Sequence, residues 1–188
     1  LSLIGVTGDI HGDLEAWNAI FCSQEFDNID LWLIAGDILY HGPKNPLPKG
    51  YSPKELSAKI NNYHKPMVIV KGNCDSDVDQ SLINVPILSP YGVIWIDGLK
   101  ILLHHGDKDL NNWIFSLELE HRFHIVISGH THIPSIKQEG GIIFLNPGSP
   151  SIPLGEEKKK TVGRIDTVKR SIEILDLYRK EIINSVSF

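Results

Sequence analysis

The stretch LIGVTGDIHGD (3–13) decides how the rest of this chain is read. Its first five residues form an apolar run with the length and β-branched content of a buried strand, and Gly8 ends it. Asp9 and His11 follow two residues apart, and Asp13 then stands as N-cap of a segment reaching Phe26, with Leu14, Trp17, Ile20 and Phe21 at helical spacing. Strand, polar turn and helix make the βα unit of an α/β sheet, and such sheets bind ligands at the carboxyl ends of their strands.

The same plan returns in LWLIAGDILYHG (31–42), MVIVKGNCDSD (67–77), KILLHHGD (100–107) and HIVISGHTH (124–132). If these turns share a crevice, it collects Asp9, His11, Asp37, Asn73, one of the adjacent pair His104 and His105, His130 and His132. In extended backbone, residues i and i+2 point to one side. Asp9 with His11, and His130 with His132, are therefore expected to converge while Ile10 and Thr131 point away. Asp37 lies among apolar neighbours, where an unpaired carboxylate is costly to bury, so a cation is expected beside it. Asn73 offers a neutral carbonyl oxygen, and Asp107 is placed to orient an imidazole from behind. Oxygen and imidazole donors without thiolate suit manganese, iron, zinc, cobalt or nickel, with magnesium less favoured and calcium least. Two divalent ions bring about +4 and Asp9, Asp37 and a bridging hydroxide remove about three, so the site would draw an anion such as a phosphate ester.

Composition narrows the alternatives. The chain has 188 residues, enough for a single domain spanning 1–188 with a sizeable core. Its 18 basic and 23 acidic side chains leave a net charge of −5, which argues against a long nucleic-acid partner held by phosphate neutralisation. No apolar run reaches the length of a membrane span. Cys22 is read as a small buried hydrophobe of the first helix, and two unspaced thiols point to a reducing cytoplasm. His64, His121 and His124 read as surface or capping residues.

The first half alternates strand and helix: strands at 3–7, 31–35 and 67–71, with a Pro/Gly-rich loop (40–55) leading to a helix carrying Leu56, Ile60 and Tyr63. That pattern implies parallel strands. The second half reads as antiparallel pieces: a hairpin over 90–105 turning at Asp97-Gly98, then strands within 139–148, 161–167 and 171–179. Two mixed sheets packed face to face with helices outside fit this better than one parallel sheet. The run at 156–160 (EEKKK) reads as a solvated turn.

Taken in order, Gly8-Asp9-Ile10-His11-Gly12, Gly36-Asp37, Gly72-Asn73-Cys74-Asp75, His105-Gly106 and Gly129-His130-Thr131-His132 resemble the motif set of calcineurin-like metallophosphoesterases. LYHGPKNPLPKGY (39–51) and NPGSPSIP (146–153) extend the resemblance to small YfcE-type phosphodiesterases. The resemblance implies an α/β fold, a four-layer α/β/β/α sandwich of two mixed sheets flanked by helices. It implies one metal held by Asp9, His11, Asp37 and His132, and a second by Asp37, Asn73, His105 and His130, with Asp37 bridging; His105 is selected over His104 because it precedes Gly106. The cofactors implied are two divalent metal ions, manganese foremost. The activity implied is hydrolysis of a small phosphodiester by a metal-bridging hydroxide, with Asp37, Asn73 and His105 as catalytic residues and Asn73 and His41 at the substrate. The loop 40–53 and Ser149-Pro150-Ser151 are expected to shape the pocket. Many relatives have His where this chain has Cys74, which weakens general-acid catalysis and favours leaving groups of low pKa. A homo-oligomer is expected from strand edges and family habit. A phosphomonoesterase with the same core and a non-enzymatic scaffold like the small retromer subunit are the rival readings, and the complete ligand set favours chemistry over scaffolding.

Overall fold

The computed structural model of the chain describes residues 1–108 and 123–188; His121 lies outside them. The strands are β1 (Leu3–Thr7), β2 (Leu31–Ile34), β3 (Met67–Val70), β4 (Ile87–Leu88), β5 (Tyr91–Ile96), β6 (Leu99–His104), β7 (Ile125–Ile127), β8 (Ser135–Glu139), β9 (Ile142–Asn146), β10 (Thr161–Asp166), β11 (Ser171–Asp176) and β12 (Ile182–Ser187). The helices are α1 (Leu14–Phe21), α2 (Pro53–Asn61) and α3 (Asp77–Leu82), with a 3₁₀ turn at Gln24–Phe26.

Two mixed sheets result. The larger runs β12-β11-β10-β1-β2-β3-β4 and the smaller β5-β6-β7-β9-β8. β1 to β4 are parallel neighbours, as the alternating first half requires, and β10 to β12 add antiparallel strands on the far side of β1. In the smaller sheet β6, β7 and β9 are parallel, while β5 and β8 pair antiparallel at the edges. Asp97 (φ 49) and Gly98 (φ 78) make the β5–β6 turn, both at positive φ as a tight two-residue hairpin demands.

Period-two alternation divides each strand between two cores. Ile4, Val6, Leu33 and Val70 of the larger sheet face Ile101, Leu103, Ile125, Ile127 and Leu145 of the smaller one, forming the central apolar layer. From the opposite face of the larger sheet, Ile34 and Ile69 meet Trp17, Leu56 and Ile60 of α1 and α2. Asp13 caps α1 as expected, accepting from the amides of Glu15 and Ala16. Cys22 is an exception to the reading: it sits exposed at the C-terminal cap of α1. Helices thus cover the outside of the larger sheet; a helix outside the smaller sheet does not occur among the described residues. None of the described helices is long and apolar enough to cross a membrane.

One glycine fixes the fit of α1 to the sheet. Trp32 is fully buried, its indole N–H donates to the Tyr63 hydroxyl at 3.0 Å, and the rings of Phe21 and Phe26 pack on it. A Cβ on Gly5 would come within 2.4 Å of that indole. Gly5→Ala is therefore expected to destabilise the fold by about 2–3 kcal/mol through overpacking. A lower urea midpoint at unchanged denaturant slope would show it.

Candidate metal centre

The carboxyl ends of β1, β2 and β3 meet those of β6 and β7 at one end of the sandwich, and the ligand-type residues lie in the turns just beyond. These turns continue the sheet ladder: the amide of Asp9 donates to Gly36 O (2.9 Å), that of His11 to Asp37 O (2.9 Å) and that of Gly129 to His105 O (2.9 Å). The extended-backbone expectation for the two i, i+2 pairs does not hold. Asp9 (φ 52), His11 (φ 52), Asp37 (φ 54), His130 (φ 68) and His132 (φ 57) all adopt left-handed backbone. The pairs still converge, with Ile10 directed into the helix-side core. The helical sense of these turns swings the side chains inward.

All seven expected donors come together. Nε2 of His132 lies 3.4 Å from Asp9 Oδ1, and Nε2 of His11 lies 3.9 Å from the same oxygen. Asp37 Oδ2 stands between the two halves, 3.7 Å from His11 Nε2 and 3.4 Å from His105 Nε2. Asn73 Oδ1 is 3.0 Å from His105 Nε2 and 2.8 Å from His130 Nδ1. Asp9, His11, Asp37, His105 and His132 are buried, whereas Asn73 and His130 are exposed. Of the adjacent histidines, His105 is the one that enters the centre. Its Nδ1 is oriented by Ala35 O at 2.6 Å, so a backbone carbonyl takes the role expected of Asp107.

The donor chemistry fits cations. His11 Nδ1 donates to Tyr40 O (2.9 Å) and His132 Nδ1 to Ile152 O (2.6 Å), which leaves both Nε2 atoms as bare acceptors. Those two atoms face each other at 3.1 Å. Two lone pairs at that separation repel unless a positive charge lies between them, and Asp9 and Asp37 add further acceptors to the same space. Asp9, His11 and His132 form one group able to hold an ion; Asp9, Asp37 and His105 form another, and Cys74 approaches His11 and Asp37.

Protons do part of this work when cations are absent. Burial pushes the Asp9 carboxyl up to about 8, against the charge of His105. Burial alone would lower His105, but the hydrogen bond and charge of Asp37 outweigh it and raise the imidazole to about 9. For Asp37 burial is likewise overcome, by His105 and the Cys74 amide, and its carboxyl drops to about 2. Burial lowers His132 to about 4 and lowers His11 as well.

A cleft of about 270 Å³ opens onto Asp37, Asn73, His130 and His132, and Gly42, Pro43, Lys44, Asn45, Cys74 and Leu154 complete its lining. The loop after residue 40 therefore shapes the cleft as expected. His41 is not among the lining residues; its ring packs against Tyr40 and Tyr51. Ser149 and Ser151 are buried, so they brace the site instead of lining it.

A family model described as the calcineurin-like phosphoesterase superfamily domain matches residues 3–170. The chain belongs to the calcineurin-like phosphoesterase superfamily. It is accordingly a phosphoester hydrolase of a family that works with divalent metal ions. This phosphoesterase is 36% identical to the phosphodiesterase YfcE of Escherichia coli K12 over 150 residues, 78% of each chain. The solved structure of YfcE from E. coli superposes with a TM-score of 0.84 at 31% identity, covering 98% of both chains. A probable metallophosphoesterase of Methanocaldococcus jannaschii is 32% identical over 158 residues, 80% of this chain and 69% of that one. Vps29 of Entamoeba histolytica, solved with Zn²⁺, matches with a TM-score of 0.63 at 22% identity over 98% of each chain, a likeness of fold alone.

Sequence reasoning assigned no bracing role to the residues that hold the phosphoesterase turns in place. Asp75 is the main one: its carboxylate accepts from the amides of Asp37 (2.8 Å), Ile38 (2.7 Å) and Gly72 (2.8 Å), tying the Asp37 turn to the Asn73 turn. The two approach so closely that a Cβ on Gly72 would lie 2.1 Å from Asp37 Oδ1. Asn146 donates to Gly129 O at 2.7 Å, and Ser149 Oγ donates to Asp9 O at 2.8 Å. The signals were present in GNCD (72–75) and NPGSP (146–150), where a polar residue beside a tight turn marks a backbone brace. Asp75→Ala is expected to weaken metal affinity about 10- to 100-fold, measured by titration with Mn²⁺.

The proton positions also set a pH dependence. In the metal-free protein Asp9 (3.8 raised to about 8) and His105 (6.5 raised to about 9) bind protons that the unfolded chain releases. Raised pKa values contribute stability that is lost as pH climbs through the folded values. His132 and His104, both lowered from 6.5 to about 4, act the other way but only below 6.5. Between pH 6.5 and 9 the chelator-treated protein is therefore expected to lose thermal stability steadily, and the Mn²⁺-loaded protein to lose less. Parallel melting curves that do not diverge over this range would contradict the assignment.

Proposed function

We propose that this phosphoesterase is a dinuclear, manganese-preferring phosphodiesterase acting on a small diester. The observation that carries the reading is the facing pair of bare imidazole nitrogens on His11 and His132, with Asp37 Oδ2 placed between that half of the centre and His105. Asp9, His11, Asp37 and His132 would hold one ion, and Asp37, Asn73, His105 and His130 the other. Bound there, divalent ions supply water acidified to near-neutral pH and positive charge for the phosphoryl oxygens.

The chain's own residues do the rest. Asp37 joins the two halves and is kept ionised by its neighbours. His105 and His132 are locked by backbone carbonyls, so their Nε2 atoms need no reorientation during turnover. Asn73 and His130, the exposed members, lie where a phosphate would enter. Cys74 borders the same cleft, and burial together with Asp37 pushes its thiol up to about 12. A thiol with a pKa so far above neutrality is a poor general acid, which supports a preference for esters with low-pKa leaving groups. Two unpaired cysteines support a cytoplasmic setting, and the open edge strand β5, with Trp95 exposed, supports association with further copies.

Elemental analysis of the Mn²⁺-loaded protein should return two metal equivalents per chain, and bis(p-nitrophenyl) phosphate should turn over faster than p-nitrophenyl phosphate. Asp37→Ala should cut kcat by about 10³ or more, since the ligand common to both ions is lost. A variant that kept both metals and full rate would overturn the reading, and a monoester preference would move the assignment to a phosphomonoesterase.

A further inference from the structure

The cleft has a wall whose chemistry the hydrolytic core does not use. Gly42, Pro43, Lys44 and Asn45 form it, and among the described residues lining the cleft Lys44 is the only lysine or arginine. Lys44 makes no ion pair with a described carboxylate, although the chain carries more acidic than basic side chains. The loop presenting it is restrained. Pro43, Pro46 and Pro48 each fix a backbone φ, and Asn45 Nδ2 donates back to His41 O at 2.9 Å. Gly42 lies so close to Cys74 that a Cβ there would be 2.8 Å from the sulfur. At the base of the loop, Leu14 N donates to Gly50 O and Ser52 N to Gly12 O.

A restrained loop thus sets Lys44 on the wall of the cleft that opens onto the centre. The scissile phosphate of a diester carries a single negative charge, and the buried centre is equipped to balance it. A lysine on the wall is left for another anion.

We propose that Lys44 is a specificity-determining residue that binds a second anionic group, a carboxylate or phosphate, carried by the ester substituent of the substrate. This rests on the phosphodiesterase reading above and narrows its substrate class to dianionic diesters. Lys44 Nζ donates to that group at the cleft wall while the scissile phosphate sits at Asn73 and His130, and the preference weakens as salt screens the exposed pair.

The test uses the intact Mn²⁺-loaded protein and two synthetic diesters, p-nitrophenyl phenyl phosphate and p-nitrophenyl carboxyphenyl phosphate, which share a leaving group and differ by one carboxylate. The wild type is expected to show a KM about tenfold lower for the carboxylate ester, the size of one charge-assisted hydrogen bond partly exposed to water. Lys44→Gln should erase that ratio with kcat for either ester changed less than about twofold, and Lys44→Arg should retain most of it. Calorimetric binding of phenylphosphonate and carboxyphenylphosphonate, which cannot be hydrolysed, supplies a readout independent of turnover. Equal KM values in the wild type, or an equal loss on both esters in Lys44→Gln, would overturn the inference and leave the phosphodiesterase reading intact. Lys44-dependent preference for the carboxylated phosphonate without turnover of either ester would do the reverse. No binding and no turnover would remove both.

Discussion

Too many acceptors face one another at one end of this molecule, and that crowding governs the rest of the site. His11 and His132 present bare nitrogens to each other because their opposite nitrogens are committed to backbone carbonyls. Asp9 and Asp37 close in from the side, and Asn73 brings a further acceptor atom beside His105. In an uncharged interior such a cluster would separate. Here it stays together because protons on Asp9 and His105 stand in for metal charge, and because the backbone leaves the side chains nowhere else to go. The centre is preorganised for cations in the strict sense that its geometry is unfavourable without positive charge.

Backbone conformation is the restraint that makes this possible. Five of the seven donors sit in the left-handed region, at a cost on the order of 1 kcal/mol each for a residue with a Cβ. The sum is comparable to the net stability of an ordinary domain, so it must be offset close by. The offset comes from the ladder continuing past the strand ends, from Asp75 gathering three amides, and from a central apolar layer that locks the two sheets in register. Asp and His tolerate this conformation better than branched residues do. The apolar residues between ligands, such as Ile10, instead return to the core.

Much of this was legible before any coordinates. Strands ending in Gly-Asp, Gly-Asn or Gly-His stand out because burial and metal binding each leave a plain compositional mark, and the Asp97-Gly98 hairpin follows from its dipeptide. What escaped did so for physical reasons. β4 is only two residues long, β8 (SIKQE) has a single apolar residue, and β12 (IINSVS) lacks a clean alternation, so each exists through pairing with a neighbour and not through its own pattern. The six-residue α3 is too short to show a period. At the site, the convergence of Asp9 with His11 was anticipated from extended geometry but arises from left-handed turns. Asp75 and Asn146 stand in the quoted motifs without a role, and Ser149 was expected at the pocket wall, because a residue that braces backbone looks, in a sequence, like any polar turn residue. Cys22 reads as buried because small thiols usually are, yet it stands exposed at the C-terminal cap of α1.

The two halves of the centre are not equivalent, and the asymmetry gives substrate chemistry a direction. Asp9 and His11 are sealed beneath the fold, His132 is buried but borders the cleft, and Asn73 and His130 are exposed there. On the proposed reading a phosphate would therefore reach the Asn73–His130 side first, with the buried donors holding positive charge behind it. Cys74 borders the same cleft, and with its thiol held well above neutrality it would give a leaving oxygen little acid assistance. Rate must then come from charge neutralisation and orientation instead of proton donation, which is the kind of catalysis that a rigid, carbonyl-locked set of imidazoles can deliver. On that reading specificity would come from a cleft wall that the centre does not build, the proline-stiffened segment carrying Lys44 and Asn45.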